Sequence, residues 1–164
     1  MEKKSTLFLR LAVIVIGIPV LALCIFALPK IAIIAFEQFH QGGRTLATIV
    51  FGILFIMYTS AIPFYFALYQ AWKLLSYIDN NQAFSQISVV ALNKIKYCAI
   101  IISCLYTIAL PLIYVIAEWD DAPGLIVIGL VIIGASMVIA VFAALLQRLL
   151  QEAINIKTEN DLTI

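Results

Sequence analysis

The sequence predicts an all-α integral membrane protein. We expect four transmembrane helices in an antiparallel up-down bundle of two hairpins, with the N- and C-termini in the cytoplasm. The first observation is composition: hydrophobic residues make up 65% of the 164 residues and charged residues only 12%. A soluble domain of this size cannot bury so much apolar side chain, because its surface-to-volume ratio is too high. Soluble enzymes, secreted disulfide scaffolds and nucleic-acid-binding domains are thereby excluded.

The second observation is four long stretches without charge. They are residues 11–29, 45–72, 97–117 and 122–147. A helix of about 20 apolar residues crosses the hydrocarbon core of about 30 Å, so each stretch can span the membrane once. The predicted spans, within a single domain 1–164, are about 11–34, 45–72, 88–117 and 122–147. A cytoplasmic loop of about 73–96 and a cytoplasmic tail of 148–164 complete the chain.

The first span has an alternative interpretation as a signal peptide. Basic residues precede its apolar centre, as in a secretory signal. Leu23, however, stands before Cys24 where a lipoprotein cleavage site requires a small residue, and the chain stays apolar beyond it. We therefore predict a permanent helix.

The third observation is the distribution of Lys and Arg, which are enriched on the cytoplasmic side of short loops. Eight of them fall on one side of the predicted topology and two on the other. The eight are Lys3, Lys4, Arg10, Lys73, Lys94, Lys96, Arg148 and Lys157. The two are Lys30 and Arg44. This bias predicts cytoplasmic termini and a cytoplasmic middle loop in a bacterial plasma membrane.

The uncharged stretches contain no Asp, Glu, Lys, Arg or His. Proton relays, ion pathways and intramembrane catalysts usually carry such residues, so we expect no enzymatic activity, no catalytic residues and no cofactor. Glu37 and His40 have a metal-ligand spacing, but no further inward-facing carboxylates accompany them. We expect a solvated pair there rather than a metal site.

Small residues indicate where helices pack. Ser136, Ala140 and Ala144 recur every four residues on the fourth span, and such stripes let helix backbones approach closely. Packing within the bundle is the simpler interpretation, and a homo-oligomer interface is the alternative. Spans one, two and three each contain a proline, where prolines tend to kink helices: Pro19, Pro63 and Pro111.

The middle loop carries the most specific polar pattern. Residues 79–82, Asp-Asn-Asn-Gln, predict a turn, because Asp and Asn side chains bond their own backbone. Ser85 is expected to be the N-cap of the next helix. Phe84 is expected to be tucked between the helical extensions on either side.

The loop and the tail together resemble a known family. Residues 78–85 and the ending 159–164, Glu-Asn-Asp-Leu-Thr-Ile, resemble motifs of the bacterial four-span membrane family labelled "domain of unknown function 2975". In that family a Gly and a Pro often precede the Phe, whereas Asn81 or Gln82 and Ala83 occupy those places here. Family members are often encoded beside a helix-turn-helix regulator, which implies a cytoplasmic transcription regulator as partner. No catalytic residues are assigned to the family.

The sequence thus favours a non-enzymatic membrane partner or sensor that binds such a regulator through its cytoplasmic face. It makes no direct contact with nucleic acid. Candidate partner-binding residues are Asp79, Asn80, Phe84, Ser85, Asn160, Asp161, Leu162 and Ile164. The alternative is a small transporter, or an immunity protein against a membrane-active compound. The helix prolines and the acidic outer loop at residues 118–121 motivate it. A membrane enzyme is the weakest interpretation.

Overall fold

The structure, a computed structural model, describes residues 2–163 and is all-helical over that range, without strands. Helix α1 comprises the α-helical segments Glu2–Ala22 and Leu28–His40, joined by a π-helical turn, Leu23–Ala27. The other helices are α2 (Arg44–Asp79), α3 (Gln86–Trp119) and α4 (Gly124–Leu162). All four are long and apolar enough to cross a membrane. The predicted all-helical chain, with four helices long and apolar enough to span a membrane, is confirmed.

The helices are longer than the hydrocarbon core is thick. Helix α2 has 36 residues and α4 has 39, which corresponds to about 54 and 58 Å at 1.5 Å per residue. The hydrocarbon core needs only about 20 residues. The polar ends of the helices therefore extend past the apolar stretches.

The helices pack as a row in chain order. Among the described residues, extensive packing joins α1 to α2, α2 to α3 and α3 to α4. Tyr58 and Tyr65 of α2 bond to Cys24 and Gly17 of α1 respectively, so these two helices run antiparallel. Helix α4 packs extensively on α3 alone, whereas a closed bundle would also pack α4 on α1. Lipid can solvate the apolar faces that α1 and α4 leave uncovered.

Helix α1 changes its hydrogen-bond register near the middle. In the π-helical turn Leu23–Ala27, each carbonyl accepts from the amide five residues later. The Cys24 carbonyl would need the amide of Pro29, which has no N–H. The hydroxyl of Tyr58 donates to that carbonyl over 2.9 Å. Helix α2 thus supplies the bond that Pro29 removes.

The register change occurs beside Pro29 and not at the prolines singled out in the sequence. Helix α1 continues through Pro19, and α2 continues through Pro63. Proline is tolerated at these positions because neighbouring groups can satisfy the freed carbonyls.

Each of the three connections reverses on one residue in the left-handed region. These residues are Gly42 (φ 102°), Asn81 (φ 59°) and Asp121 (φ 50°). In each case the following amide bonds to the carbonyl five residues earlier, over 2.7 to 3.0 Å. This is the longer hydrogen bond of a Schellman ending, which satisfies a carbonyl that a helix terminus leaves open. At Asn81 the second bond of the motif, from its amide to the Ile78 carbonyl, is also present. The turn predicted at residues 79–82 is present.

The small residues of α4 face α3. Ser136 and Ala140 are buried, and α3 is the helix on which α4 packs. Ala143 is also buried, whereas Ala144 is half-buried. The burial of Ser136 and Ala140 favours packing within the chain, and the homo-oligomer interface stays a prediction.

Candidate functional site

An ion pair joins the start of α1 to the end of α2. The Nη2 atom of Arg10 donates a hydrogen bond to Asp79 Oδ2 over 2.8 Å, and the Oγ1 atom of Thr6 donates one to Asp79 Oδ1 over 2.6 Å. We call Thr6, Arg10 and Asp79 the clasp. Asp79 ends α2, where the helix dipole disfavours a carboxylate. The two donors from α1 offset that cost.

Further groups of α2 surround the Arg10 guanidinium. Its Nη2 lies 3.1 Å from Ser76 Oγ, and its Cζ lies 5.0 Å from the centre of the Trp72 ring. The Arg10 and Asp79 side chains are 27% and 20% exposed. Low exposure strengthens the pair, because less water screens it. The Arg10 Nε is buried without a hydrogen-bond partner among the described residues.

The turn after the clasp is held by its own side chains. The Gln82 carbonyl accepts hydrogen bonds from the hydroxyls of Ser85 and Ser88. Ser88 is fully buried. Ser85 is the N-cap of α3 by its backbone, as predicted, but its side chain does not cap the helix and bonds to Gln82 instead. The result is a turn closed by bonds from both flanking helices.

Phe84 stands outside this turn. Its side chain is 61% exposed, so the prediction that it is tucked between the helix extensions is wrong. Leu75 of α2 and Leu92 of α3 are buried, in contrast to Phe84. An exposed aromatic ring on an ordered support is a feature typical of a binding surface.

The predicted tail residues lie on a helix. Helix α4 continues to Leu162, and Asn160 and Asp161 are exposed. Leu162 is 81% exposed. Ile164 lies outside the described residues. Within residues 2–163, no hydrogen bond or ion pair joins this tail to Asp79, Asn80, Phe84 or Ser85.

Sequence reasoning missed the partners of Asp79. The charge bias places Arg10 among the cytoplasmic positive charges but does not pair it with Asp79, and no sequence pattern points to Thr6. One signal was available: Asp79 is the sole acidic residue between Glu37 and Glu118. A lone carboxylate at the edge of an apolar region predicts a basic partner nearby.

A cavity of about 460 Å³ lies among the four helices at the opposite end from the clasp. Its wall is almost entirely aliphatic, with contributions from α1, α2, α3 and α4. Gln38 and Asp120 are its polar residues at one end. Tyr106 lies deeper, with its hydroxyl 3.3 Å from Ser60 Oγ.

The Glu37–His40 pair forms no ion pair in the structure. The His40 ring instead packs edge-on against Phe36, with ring centres 4.6 Å apart, and against Phe39. Across the described residues, no three His, Cys, Asp or Glu side chains cluster as a metal site requires.

Four long apolar helices and a polar clasp at their ends define a multi-pass helical membrane protein. The chain belongs to the family described as "Protein of unknown function (DUF2975)", which matches residues 5–164. The family resemblance noted in the loop and tail is confirmed. The chain is also similar to the "Uncharacterized membrane protein YoaS" of Bacillus subtilis (strain 168), with 60% identity over all of both chains. No solved structure matches the chain.

Proposed function

We propose that this protein is a non-enzymatic partner or sensor in the bacterial plasma membrane. It binds a cytoplasmic protein through the turn that carries Phe84, together with the tail residues 159–164. The observation that carries this proposal is the 61% exposure of Phe84 on a turn closed by hydrogen bonds. The partner that the family resemblance implies is a cytoplasmic helix-turn-helix regulator.

A rigid, exposed aromatic side chain favours protein binding on energetic grounds. Aromatic residues are enriched among those that dominate binding energy at interfaces. Ordering a flexible loop on binding costs free energy, and a preformed turn avoids that cost. The Schellman ending at Asn81 and the Ser88 bond to Gln82 provide this preorganisation.

Charge supports a cytoplasmic location for Phe84. The antiparallel packing of α1 on α2 places the start of α1 beside the end of α2. In the two-hairpin, up-down topology, eight of the ten Lys and Arg residues fall at this end. The positive-inside rule then places both termini and the Phe84 turn in the cytoplasm.

The clasp offers a route from the membrane to the turn. Asp79 is bonded to α1 through Arg10 and Thr6, and Asp79 lies three residues before Gln82, the acceptor for Ser85 and Ser88. A signal that changes how α1 packs on α2 would act on the turn through these bonds. Such a signal must bind the two arrangements with different affinities.

The test is a crosslinked pulldown from native membranes with matched variants. Phe84→Ala and deletion of residues 159–164 are compared with Phe55→Ala, which removes a ring of similar exposure (73%) from the middle of α2. We expect Phe84→Ala and the deletion to lose a DNA-binding protein that the intact chain and Phe55→Ala both recover. Recovery of the same proteins by all four chains would refute the proposal.

A second candidate is a small transporter or an immunity protein against a membrane-active compound. The aliphatic cavity among the four helices favours it. This candidate predicts that deleting the gene changes sensitivity to such a compound, and that Phe84→Ala restores resistance as well as the unaltered gene does. Failure of Phe84→Ala to restore resistance would instead favour partner binding through the cytoplasmic face.

A further inference from the structure

The cavity among the four helices is built as a site with one polar end. We propose that it binds a single-chain amphiphile with a cationic head: the hydrocarbon chain lies against the aliphatic wall and the head lies beside Asp120. This inference does not depend on the cytoplasmic partner, because the cavity and the Phe84 turn lie at opposite ends of the helices.

The size of the cavity fits an organic ligand. Its volume of about 460 Å³ falls within the range of about 300–1,000 Å³ for ligand pockets. Its wall runs along α3 from Tyr106 to Asp120, which corresponds to about 21 Å at 1.5 Å per residue. An extended alkyl chain has the shape to fill such a space.

The cavity follows from the row of helices. Helices α1 and α4 both line it, with Ile34 on one side and Ile128 on the other, but they do not pack extensively on each other. Protein interiors are normally packed as densely as organic crystals. A space of this size lined by aliphatic groups therefore takes up hydrocarbon in a membrane rather than staying empty.

Charge selects the head of the ligand. Asp120 lines the cavity, and no basic side chain among the described residues forms an ion pair with it. The same end of the chain carries four acidic residues against two basic ones, a balance of −2. The acidic residues are Glu37, Glu118, Asp120 and Asp121, and the basic ones are Lys30 and Arg44.

Among the described residues, neither basic group at this end forms an ion pair with Asp120. The Arg44 guanidinium lies over the Phe39 ring, 5.8 Å from its centre. The side-chain amide of Gln38 can hydrogen-bond a head group but carries no charge. A cationic head is therefore attracted to this end of the cavity, whereas an amphiphile with the same hydrocarbon chain and an anionic head is repelled.

The experiment uses photo-crosslinking in nanodiscs of uncharged phosphatidylcholine. The probe is a dodecyl chain that carries a diazirine and a trimethylammonium head, and the competitors are dodecyltrimethylammonium and dodecyl sulfonate below their micellar concentrations. We expect adducts on the cavity-lining residues of α2, α3 and α4. The ammonium competitor should displace the probe at a concentration at least fivefold lower than the sulfonate does.

Two pairs of matched variants locate the hydrocarbon chain and the cationic head of the ligand. Val50→Trp fills the cavity and should reduce labelling at least fivefold, whereas Ile62→Trp adds the same ring at an exposed position of the same helix and should not. Asp120→Asn should abolish the preference for ammonium. Asp121→Asn removes an equal charge from a neighbour that does not line the cavity, and should keep that preference.

Several outcomes would overturn the inference. Equal labelling of Val50→Trp and Ile62→Trp would mean ordinary lipid contact. Equal competition by ammonium and sulfonate would remove the head-group assignment, and equal effects of Asp120→Asn and Asp121→Asn would mean diffuse attraction without a site. Ile128→Trp provides an independent filling variant if Val50→Trp fails to fold, as circular dichroism and thermal unfolding will show.

Discussion

Breaking the clasp should destabilise the packing of α1 on α2 far more than breaking an exposed ion pair. The comparison is a double-mutant cycle on Arg10 and Asp79, with Ala at each position, against the same cycle on Arg148 and Glu152. The first pair is 2.8 Å apart and 27% and 20% exposed. The second is 3.9 Å apart, within one helix, and 82% and 62% exposed.

The magnitude follows from the number of bonds and their exposure. Asp79 accepts two hydrogen bonds, from Arg10 and from Thr6. A hydrogen bond to a charged group contributes about 1.5–3 kcal/mol, and the partial exposure of the pair favours the lower end of that range. We expect Asp79→Ala to cost about 2–3 kcal/mol of unfolding free energy. The coupling between Arg10 and Asp79 should be about 1–2 kcal/mol.

The exposed pair sets the baseline for this measurement. Pairs four residues apart on a helix surface contribute about 0.3–0.5 kcal/mol. The coupling between Arg148 and Glu152 should therefore stay below about 0.5 kcal/mol. A difference of about 1.4 kcal/mol between two variants is a factor of ten in the unfolding equilibrium, which is well resolved.

The assay is reversible unfolding in mixed micelles with increasing dodecyl sulfate, followed by tryptophan fluorescence. Trp72 reports directly on the clasp, because the Arg10 guanidinium lies over its ring. Equal coupling energies in the two cycles would refute the reasoning. So would an Asp79→Ala variant whose unfolding midpoint matches that of Glu152→Ala.

Three further predictions test the helix register, the turn and the topology. Tyr58→Phe should lower the free energy of unfolding by about 1–3 kcal/mol, because it leaves the Cys24 carbonyl unsatisfied. Tyr65→Phe should lower it by less, because its acceptor, the Gly17 carbonyl, lies in a regular helix. The reverse order in the unfolding assay would contradict the π-turn account. Asn81→Gly should leave the melting temperature nearly unchanged. Asn81→Val should lower the melting temperature, with a loss of about 1–2 kcal/mol in the free energy of unfolding, because a β-branched residue disfavours the left-handed region. Equal melting temperatures for the two variants would argue against that backbone geometry. In a background without native cysteines, a cysteine that replaces Gln41 should react with an impermeant maleimide in intact cells. A cysteine that replaces Asn80 should react only after permeabilisation. The opposite pattern would invert the proposed topology.

Much of the fold was accessible from the sequence because the membrane imposes one simple requirement. Each span needs an uninterrupted apolar stretch, and four such stretches are visible without any knowledge of packing. The turn at residues 79–82 was accessible for a similar reason, since Asn81 tolerates the left-handed conformation that a Schellman ending needs. These features depend on local chemistry alone.

The features that were missed depend on three-dimensional contacts that no sequence pattern specifies. The clasp joins Arg10 to Asp79, 69 positions apart, and no local pattern specifies that distance. The position of Phe84 was predicted incorrectly because hydrophobicity alone suggests burial, whereas Ser85 and Ser88 close the turn through the Gln82 carbonyl and Phe84 stays exposed. The cavity depends on the lack of extensive packing between α1 and α4, which helix propensity does not encode.

The row of helices also has a consequence for biosynthesis. Each helix packs on the one synthesised immediately before it, so every newly inserted helix finds its neighbour already in the bilayer. Domains form their contacts from the N-terminus during synthesis, and contacts between near neighbours in the chain form quickly. The Arg10–Asp79 bond can lock α1 and α2 as soon as α2 is complete. Helix α4 is then the last helix to join, and its loss leaves the α1–α2 and α2–α3 interfaces and the turn after α2 intact.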